Sequence, residues 1–205
     1  MRRNAECCSC CCCMRPVVWL VIIFMLDVVV VVRSSHDDAP TVTLVPRHQR
    51  VENDGVAMFF CEASGNSAPE VHWRKDGRPL STGQRRFSTF DMPRGSALRI
   101  DPVSAVWDNN STFECVADNG TGQAATAEAQ LSVYPEGQAP SGYPRIVQGP
   151  RLKAVEKDRI TVMVCSATGN PEPSILWLKD YVPVNLSDPR LQFLHSGQCV
   201  HCDWL

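Results

Sequence analysis

The basic side chains between Trp73 and Arg99 are the residues of this sequence whose chemistry is most informative. Seven cations stand there against Asp76 and Asp91, a local excess of five positive charges. They are Arg74, Lys75, Arg78, Arg85, Arg86, Arg94 and Arg99. Each guanidinium group can donate two parallel hydrogen bonds to two oxygens of a sulfate or phosphate. A polyanion that binds several such groups gains further affinity from counterion release. The segment predicts a polyanion-binding site along one outer surface, and the alternative is a solvated charged face.

The strand parity of two of these arginines predicts that their side chains point outward. Successive side chains of a strand point to opposite faces. Arg74 follows Trp73 directly, and Arg99 lies between Leu98 and Ile100, whose side chains are expected in the core. We therefore expect Arg74 and Arg99 to point to solvent. The whole chain has 20 basic and 22 acidic residues, so its global charge does not indicate a nucleic-acid partner.

Cys61 and Cys115 are a second informative feature. They are 54 positions apart, and Trp73 stands twelve positions after the first. This spacing fits a disulfide between strands B and F of an immunoglobulin-type sandwich, packed on a core tryptophan of strand C. A bridge of this loop length stabilises a fold by about 4 kcal/mol on a chain-entropy estimate. The alternative is a pair of buried free thiols.

The surrounding alternation of apolar and polar residues predicts an all-β protein. About seven short strands separated by turn signals indicate an immunoglobulin-like (I-set) β-sandwich over residues 40–134. The predicted inward residues of its strands B and G are Ala57, Phe59, Cys61, Ala63, Ala127, Ala129, Leu131 and Val133. Residues 135–149 are rich in proline and glycine, which predicts a short, stiff linker.

The segment after the linker repeats the first domain at a period of 104 residues. Cys61 corresponds to Cys165, and Trp73 corresponds to Trp177. Internal repetition is stronger evidence than either copy alone, so residues 150–205 are predicted to form a truncated second domain of the same kind. Trp177 is accordingly predicted to be a core residue.

The second copy lacks a counterpart of Cys115, which by the same period would fall beyond the last residue. Half a sandwich cannot cover its own apolar core. We therefore expect residues 151–205 to be unstable, exposed or mispaired. Cys199 and Cys202 are the expected incorrect partners of Cys165.

Residues 1–35 have the order of an export signal, with two arginines ahead of an apolar run from Val17 to Val32. Asp27 interrupts the run, which is shorter than the roughly 20 apolar residues of a membrane-spanning helix. A cleaved signal peptide is therefore favoured over a signal anchor. The chain is expected in the extracellular space or at the plasma membrane, where disulfides persist. Six cysteines within residues 7–13 precede the run, and their palmitoylation would require the anchor.

The segment Val200-His201-Cys202 has the opening residues of a tyrosine phosphatase signature. That chemistry needs a low-pKa cysteine in a loop whose backbone amides and a following arginine hold the phosphate. No arginine follows in residues 203–205. Cys199, His201 and Cys202 also lack the second ligand pair of a zinc site. We predict no catalysis, no metal and no cofactor, with a phosphatase that relies on Cys202 as the alternative.

Four Asn-X-Ser/Thr sequences predict N-glycosylation of an exported chain. They begin at Asn109, Asn110, Asn119 and Asn185. The first two overlap, so we expect a glycan on at most one of them. Asn119 is predicted to lie in the hairpin between the last two strands of the first domain.

Several short runs are similar to those of a known family. They are Phe87 to Pro102, Gly149 to Lys157, Gly169 to Pro173 and Trp177 to Asp180. These runs resemble immunoglobulin domains 1 and 2 of LAR-type (type IIa) receptor protein tyrosine phosphatases, and the resemblance covers roughly residues 42–197. It implies the distal, ligand-binding end of a receptor, held as a rigid V, whose phosphatase domains are outside this chain.

The resemblance also implies partners, namely heparan and chondroitin sulfate proteoglycans and adhesion proteins of neuronal or epithelial surfaces. In the family, a basic loop just after the tryptophan that corresponds to Trp73 binds these glycosaminoglycans. Lys75, Arg78 and Arg99 stand at positions that are basic in the family, whereas Asp76 and Pro79 replace basic residues. The candidate glycosaminoglycan-binding residues are Arg74, Lys75, Arg78, Arg85, Arg86 and Arg99. The alternative is another adhesion molecule of the immunoglobulin superfamily, such as a contactin-like one.

Overall fold

The computed structural model describes residues 39–80, 85–157, 159–194 and 199–203, and the last of these segments is described by its backbone. The described residues belong to one compact unit, Asp38–Leu205. The predicted export segment, with its cysteine cluster and apolar run, lies outside the described residues. Within the described ranges, no helix is long and apolar enough to cross a membrane.

Every regular element in the described residues is a β-strand. The first domain contains β1 (Thr41–Leu44), β2 (Gln49–Glu52), β3 (Ala57–Ser64), β4 (Glu70–Lys75), β5 (Arg78–Pro79), β6 (Phe87–Met92), β7 (Gly95–Ile100), β8 (Ser111–Asp118) and β9 (Ala125–Tyr134). The second contains β10 (Arg145–Gln148), β11 (Ile160–Val164), β12 (Ser166–Thr168), β13 (Leu178–Lys179), β14 (Val182–Pro183), β15 (Leu191–Leu194) and β16 (Cys199–Asp203). β10 lies inside the stretch predicted to be a linker, so strand pairing of the second domain begins earlier than expected.

The first domain consists of two sheets, with strand orders β1-β3-β7-β6 and β2-β9-β8-β4-β5. Pro46 separates β1 from β2, and the two strands join different sheets. β1 pairs antiparallel with β3, whereas β2 pairs parallel with β9. Proline has no backbone N–H and cannot donate a hydrogen bond to a neighbouring strand. The chain therefore changes sheets at a residue where strand pairing is already interrupted. The predicted all-β immunoglobulin-like sandwich is confirmed.

A disulfide between Cys61 in β3 and Cys115 in β8 joins the two sheets. Both residues are fully buried, and their Cα atoms are 6.4 Å apart. Trp73 belongs to the same core cluster, and its Nε1 donates a hydrogen bond to the Ser96 hydroxyl at 3.1 Å. The bond satisfies the one polar atom of the indole in an apolar surrounding. Other core side chains from both sheets are Phe59, Leu98, Ile100, Phe113, Ala129, Leu131 and Val133.

The last described strand, β16, has the same place in the second domain as β7 has in the first. β7 lies between β3 and β6, and β16 lies between β11 and β15. The registers differ by two residues at the period of 104, because Phe59 is opposite Leu98, whereas its counterpart Met163 is opposite Val200 rather than Cys202. The terminal segment is therefore the middle strand of a three-stranded sheet.

The described core is that of the first domain. In the second domain, Trp177 is half-buried rather than a core residue like Trp73, and Ile160 and Leu176 are largely exposed. Cys165 is buried with a free thiol, so the expected disulfide to Cys199 or Cys202 is wrong. Other apolar side chains of this domain are exposed as well, among them Leu186 and Phe193, and the predicted instability of residues 151–205 stays a prediction.

Candidate functional site

The seven cations of the basic segment do not share one surface. Arg74 and Lys75 are on β4 and Arg78 is on β5, both strands of the five-stranded sheet. Arg99 is on β7 of the four-stranded sheet, and Arg94 lies in the turn that precedes it. The two groups are therefore on different sheets of the sandwich. The prediction of a single basic surface is wrong.

An open groove of about 700 Å³ lies where the β4–β5 hairpin, the start of β6 and the β7–β8 connection meet. We name it the basic groove. It is lined by Lys75, Asp76, Arg78, Pro79, Leu80, Arg86, Phe87 and Trp107. Three of the six candidate glycosaminoglycan-binding residues are in this lining, and a fourth, Arg85, is exposed next to Arg86 in the sequence.

Asp108, an acid that sequence reasoning missed, is fully buried at this groove. Its Oδ1 accepts a hydrogen bond from Lys75 Nζ at 2.7 Å, and its Oδ2 accepts one from Arg86 Nη1 at 2.6 Å. The backbone amide of Ser104 donates to Oδ2 at 2.8 Å. Lys75 Nζ also donates to the Trp107 carbonyl oxygen at 2.6 Å. One carboxylate thus fixes two of the candidate cations and balances one of their two charges.

The ionisation of Asp108 follows from these contacts. Burial by itself raises the pKa of its carboxyl, because it disfavours the charged form. Hydrogen bonds from Arg86, Lys75 and the Ser104 amide oppose this effect, and the pKa lies below the ordinary value of 3.8. The group is therefore an anion at neutral pH and holds both cations.

Arg78 and Arg85 are the exposed cations of this region. Among the described residues, neither has an acidic side chain within ion-pair distance. Asp76 uses its Oδ1 to accept a hydrogen bond from the Thr112 amide at 2.8 Å, which fixes its carboxylate against β8. Four cations therefore stand against two carboxylates, so the region has a net charge of two positive units at neutral pH.

Two other cations pair with glutamates on neighbouring strands. Arg74 Nη1 lies 3.5 Å from Oε2 of Glu114, and Arg94 Nη2 lies 3.4 Å from Oε2 of Glu62. The Arg74 side chain is 39 % exposed, in line with its strand parity. Exposed pairs of this kind contribute about 0–1 kcal/mol, so they restrain the arginines weakly while they cancel local charge.

Arg99 lies against the second domain rather than in open solvent. Its guanidinium is 5.0 Å from the ring centroid of Tyr181, and it forms an ion pair with Asp101. Phe90 stacks on the same tyrosine, with ring centroids 4.5 Å apart. The prediction that Arg99 points to solvent is therefore wrong, because strand parity gives the face of the sheet but not what covers that face.

Comparison with known proteins assigns the family. The immunoglobulin I-set domain matches residues 40–133. A crystal structure of the N-terminal Ig1-2 module of the Drosophila receptor protein tyrosine phosphatase DLAR is 37% identical and has a TM-score of 0.73. The match covers 82% of this chain and 85% of that module. The chain belongs to the LAR-type receptor tyrosine phosphatase family.

Curated members of the LAR-type family agree with this assignment. Tyrosine-protein phosphatase Lar of Drosophila melanogaster is 41% identical over 152 residues, which is 74% of this chain and 7% of the relative. Receptor-type tyrosine-protein phosphatase F of Mus musculus is 42% identical over 163 residues, which is 78% of this chain and 8% of the relative. The chain thus spans less than a tenth of the length of these relatives. The predicted resemblance is confirmed, and the assignment replaces the contactin-like alternative.

The Cys202 segment does not have the backbone of a phosphatase loop. Cys202 is opposite Thr161 on β11 and opposite Leu191 on β15. The backbone of a strand paired on both sides takes part in the two ladders, so its amides do not converge on a phosphate. Within the part of the chain that the structure describes, no group of three His, Cys, Asp or Glu side chains could hold a metal ion.

The four glycosylation candidates all lie in turns or loops. Asn109, Asn110 and Asn185 are exposed, and Asn119 is half-buried in the β8–β9 turn. The Asn109 Oδ1 accepts a hydrogen bond from the Val133 amide at 2.9 Å, whereas Asn110 has a positive φ of 60° and extends the turn. Glycan attachment at these residues stays a prediction.

Replacing Asp108 with Asn should destabilise the first domain, because Lys75 and Arg86 would lose their anion. We expect a loss of about 2 kcal/mol in the free energy of unfolding at pH 7, less than for a fully buried pair because both cations are partly hydrated. Urea unfolding of the exported chain measures this loss. Asp91→Asn removes an exposed carboxylate and should change the free energy by less than about 0.5 kcal/mol.

The lowered pKa of Asp108 adds a pH signature to this test. A carboxyl whose folded pKa lies below its unfolded value stabilises the fold above the unfolded pKa, and this contribution is lost as the pH falls below 3.8 through the folded pKa. Between about pH 5 and about pH 3 the parent chain should therefore lose more stability than Asp108→Asn. Equal losses in the two chains would contradict the ion cluster.

Truncating Tyr181 tests the contact between the two domains. Tyr181→Ala removes the ring that packs on Arg99 and Phe90, so we expect the amide signals of β6 and β7 near these residues to shift in NMR spectra. We also expect faster, more independent tumbling of the two domains in ¹⁵N relaxation. Tyr181→Phe keeps the ring and should behave like the parent chain. Unchanged spectra and tumbling for Tyr181→Ala would show that the contact does not persist in solution.

Proposed function

We propose that this chain is a non-catalytic extracellular recognition fragment that binds sulfated glycosaminoglycans, such as heparan and chondroitin sulfate, through the basic groove. As part of an adhesion receptor of the LAR-type family, it also binds cell-surface proteins through its immunoglobulin domains. The observation that carries the glycosaminoglycan proposal is the pair of exposed arginines, Arg78 and Arg85, beside a groove whose other cations are held rigidly.

Electrostatics supports a polyanion rather than a single small anion. The net excess of two positive charges lies on side chains that remain hydrated, where a lone sulfate would gain little against the surrounding salt. A chain of sulfates gains more, because each neutralised charge releases a condensed counterion. The number of counterions released also predicts modest affinity, since the region has a net charge of two positive units rather than the five that the sequence suggested. Salt dependence is therefore the appropriate measurement.

The proposal gives the six candidate residues different roles. Arg78 and Arg85 contact sulfate directly, and Lys75 and Arg86 form the rigid cationic floor that Asp108 holds in place. Arg74 adds a sulfate contact from the outer face of β4 when its weak ion pair with Glu114 breaks. Arg99 is engaged by Asp101 and Tyr181, so it contributes to ligand binding only if the contact with the second domain opens.

Secretion and surface exposure fit this function. The disulfide of the first domain requires an oxidising compartment, and residues 1–35 have the sequence of an export signal. We propose that the chain acts outside the cell or at the plasma membrane, with glycans at some of its four acceptor sites.

Chromatography of the exported chain on immobilised heparin tests the proposal. The Arg78→Ala/Arg85→Ala double variant should elute at lower salt, and its log–log salt dependence of affinity should fall by about two counterions. Arg94→Ala removes an exposed cation that does not line the groove and should elute like the parent chain.

Two outcomes would overturn this proposal. The first is an absence of heparin binding by the parent chain at low salt. The second is a loss for Arg94→Ala as large, per charge removed, as that for the Arg78→Ala/Arg85→Ala variant, because it would mean that total charge, rather than the groove, determines retention.

A further inference from the structure

Trp107 is a large apolar residue on the surface, at the edge of the basic groove. Its side chain is 71% exposed, and it contributes to the lining of the groove. Tryptophan is highly buried on average, and the core position of this domain is already occupied by Trp73. Packing of the fold therefore does not require an indole at this position. An exposed aromatic ring beside cations is typical of a surface that contacts a ligand.

The backbone that carries Trp107 is held in place before any ligand arrives. The Asp108 amide donates to the Ser104 carbonyl oxygen at 2.8 Å, and the Asp108 carboxylate accepts from the Ser104 amide at 2.8 Å. Lys75 Nζ donates to the Trp107 carbonyl oxygen from β4. Because the connection is already fixed, the indole can contact a ligand without the entropic cost of ordering a loop.

The shape and chemistry of the groove limit the class of ligand. Its volume of about 700 Å³ is far larger than one sulfate requires and lies within the roughly 300–1,000 Å³ of small-molecule sites. Its lining combines flat or apolar groups, Trp107, Pro79 and Phe87, with the guanidinium of Arg78. A sulfated sugar ring is complementary to this lining, because it has an apolar C–H face and anionic groups at its edge.

We propose that Trp107 is the stacking platform of a subsite for a sulfated sugar ring. The C–H face of the pyranose packs on the indole, and a sulfate or carboxylate at the ring edge binds Arg78. The inference rests on the proposed glycosaminoglycan function and adds to it the residue that recognises the sugar rather than its charge. Affinity for the groove then depends on the carbohydrate ring as well as on ionic strength.

Two probes matched in net charge separate ring recognition from electrostatics. The first is a heparin-derived tetrasaccharide, and the second is a short poly(vinyl sulfate) with the same number of anionic groups, which has sulfates but no sugar. Trp107→Ala should weaken tetrasaccharide binding about tenfold, the effect of losing one stacked ring. It should leave poly(vinyl sulfate) binding unchanged. Trp107→Phe keeps a flat ring and should stay within about threefold of the parent chain.

Matched controls connect the effect to the indole. Val106→Ala alters an exposed neighbour outside the groove lining and should leave both affinities unchanged. Tetrasaccharide binding should also change the tryptophan fluorescence of the parent chain, and Trp107→Phe should lose that change. Thermal unfolding should be the same for all of these variants, since both side chains are exposed.

The outcomes distinguish the two proposals. If the tetrasaccharide binds and Arg78→Ala/Arg85→Ala weakens it while Trp107→Ala does not, the stacking subsite is wrong and the glycosaminoglycan function stands. If Trp107→Ala weakens both probes equally, the residue acts on charge or structure and the subsite is also wrong. If the parent chain binds neither probe at low salt, both proposals fail.

Discussion

A single buried carboxylate, Asp108, organises the surface that this chain presents. It binds Lys75 from the end of β4, Arg86 from the start of β6 and the Ser104 amide of the β7–β8 connection. These segments come from both sheets of the sandwich, so one anion fixes the relative positions of three sides of the groove. A carboxylate without these partners would not stay ionised when buried, and the two cations without it would repel each other.

The same interaction decides how much charge is available to a ligand. The basic segment has an excess of five positive charges in the sequence, but the structure distributes them over different surfaces and neutralises part of them. Pairs with Asp108, Glu114 and Glu62 remove most of the excess, and Arg99 is engaged at the contact between the domains. What remains at the groove is two positive charges and an exposed indole. Recognition by this surface therefore depends on shape and on the sugar ring as much as on charge density.

Much of the fold could be predicted because its signals are local or regularly spaced. The interval from Cys61 to Trp73 to Cys115 predicts the disulfide and the core tryptophan, and strand parity predicts the buried faces. The position of β16 could not be predicted in this way, since its role comes from pairing with β11 and β15. Trp177 repeats the sequence position of Trp73 but lacks its burial, because burial depends on the strands that pack over it.

The site was less predictable for the same physical reason. Asp108 lies in a polar turn of the sequence, and its partners are 33 and 22 positions away, so no local pattern identifies it as buried. Arg99 has the parity of an outward residue, but Tyr181, which belongs to the other domain, covers it. Trp107 follows a valine in an irregular segment, and two large apolar residues in a row suggest burial in the core. Its exposure became evident only with the fold.

The central claim is that the groove held by Asp108 is the surface that meets a sulfated sugar. Titrating the isotope-labelled chain with a heparin tetrasaccharide, while its assigned NMR signals are followed, tests this claim most directly. The account predicts the largest shifts at the backbone of Arg78 and Arg85 and at the indole N–H of Trp107. Shifts concentrated at Arg94 or in the second domain, with the groove signals unmoved, would contradict it.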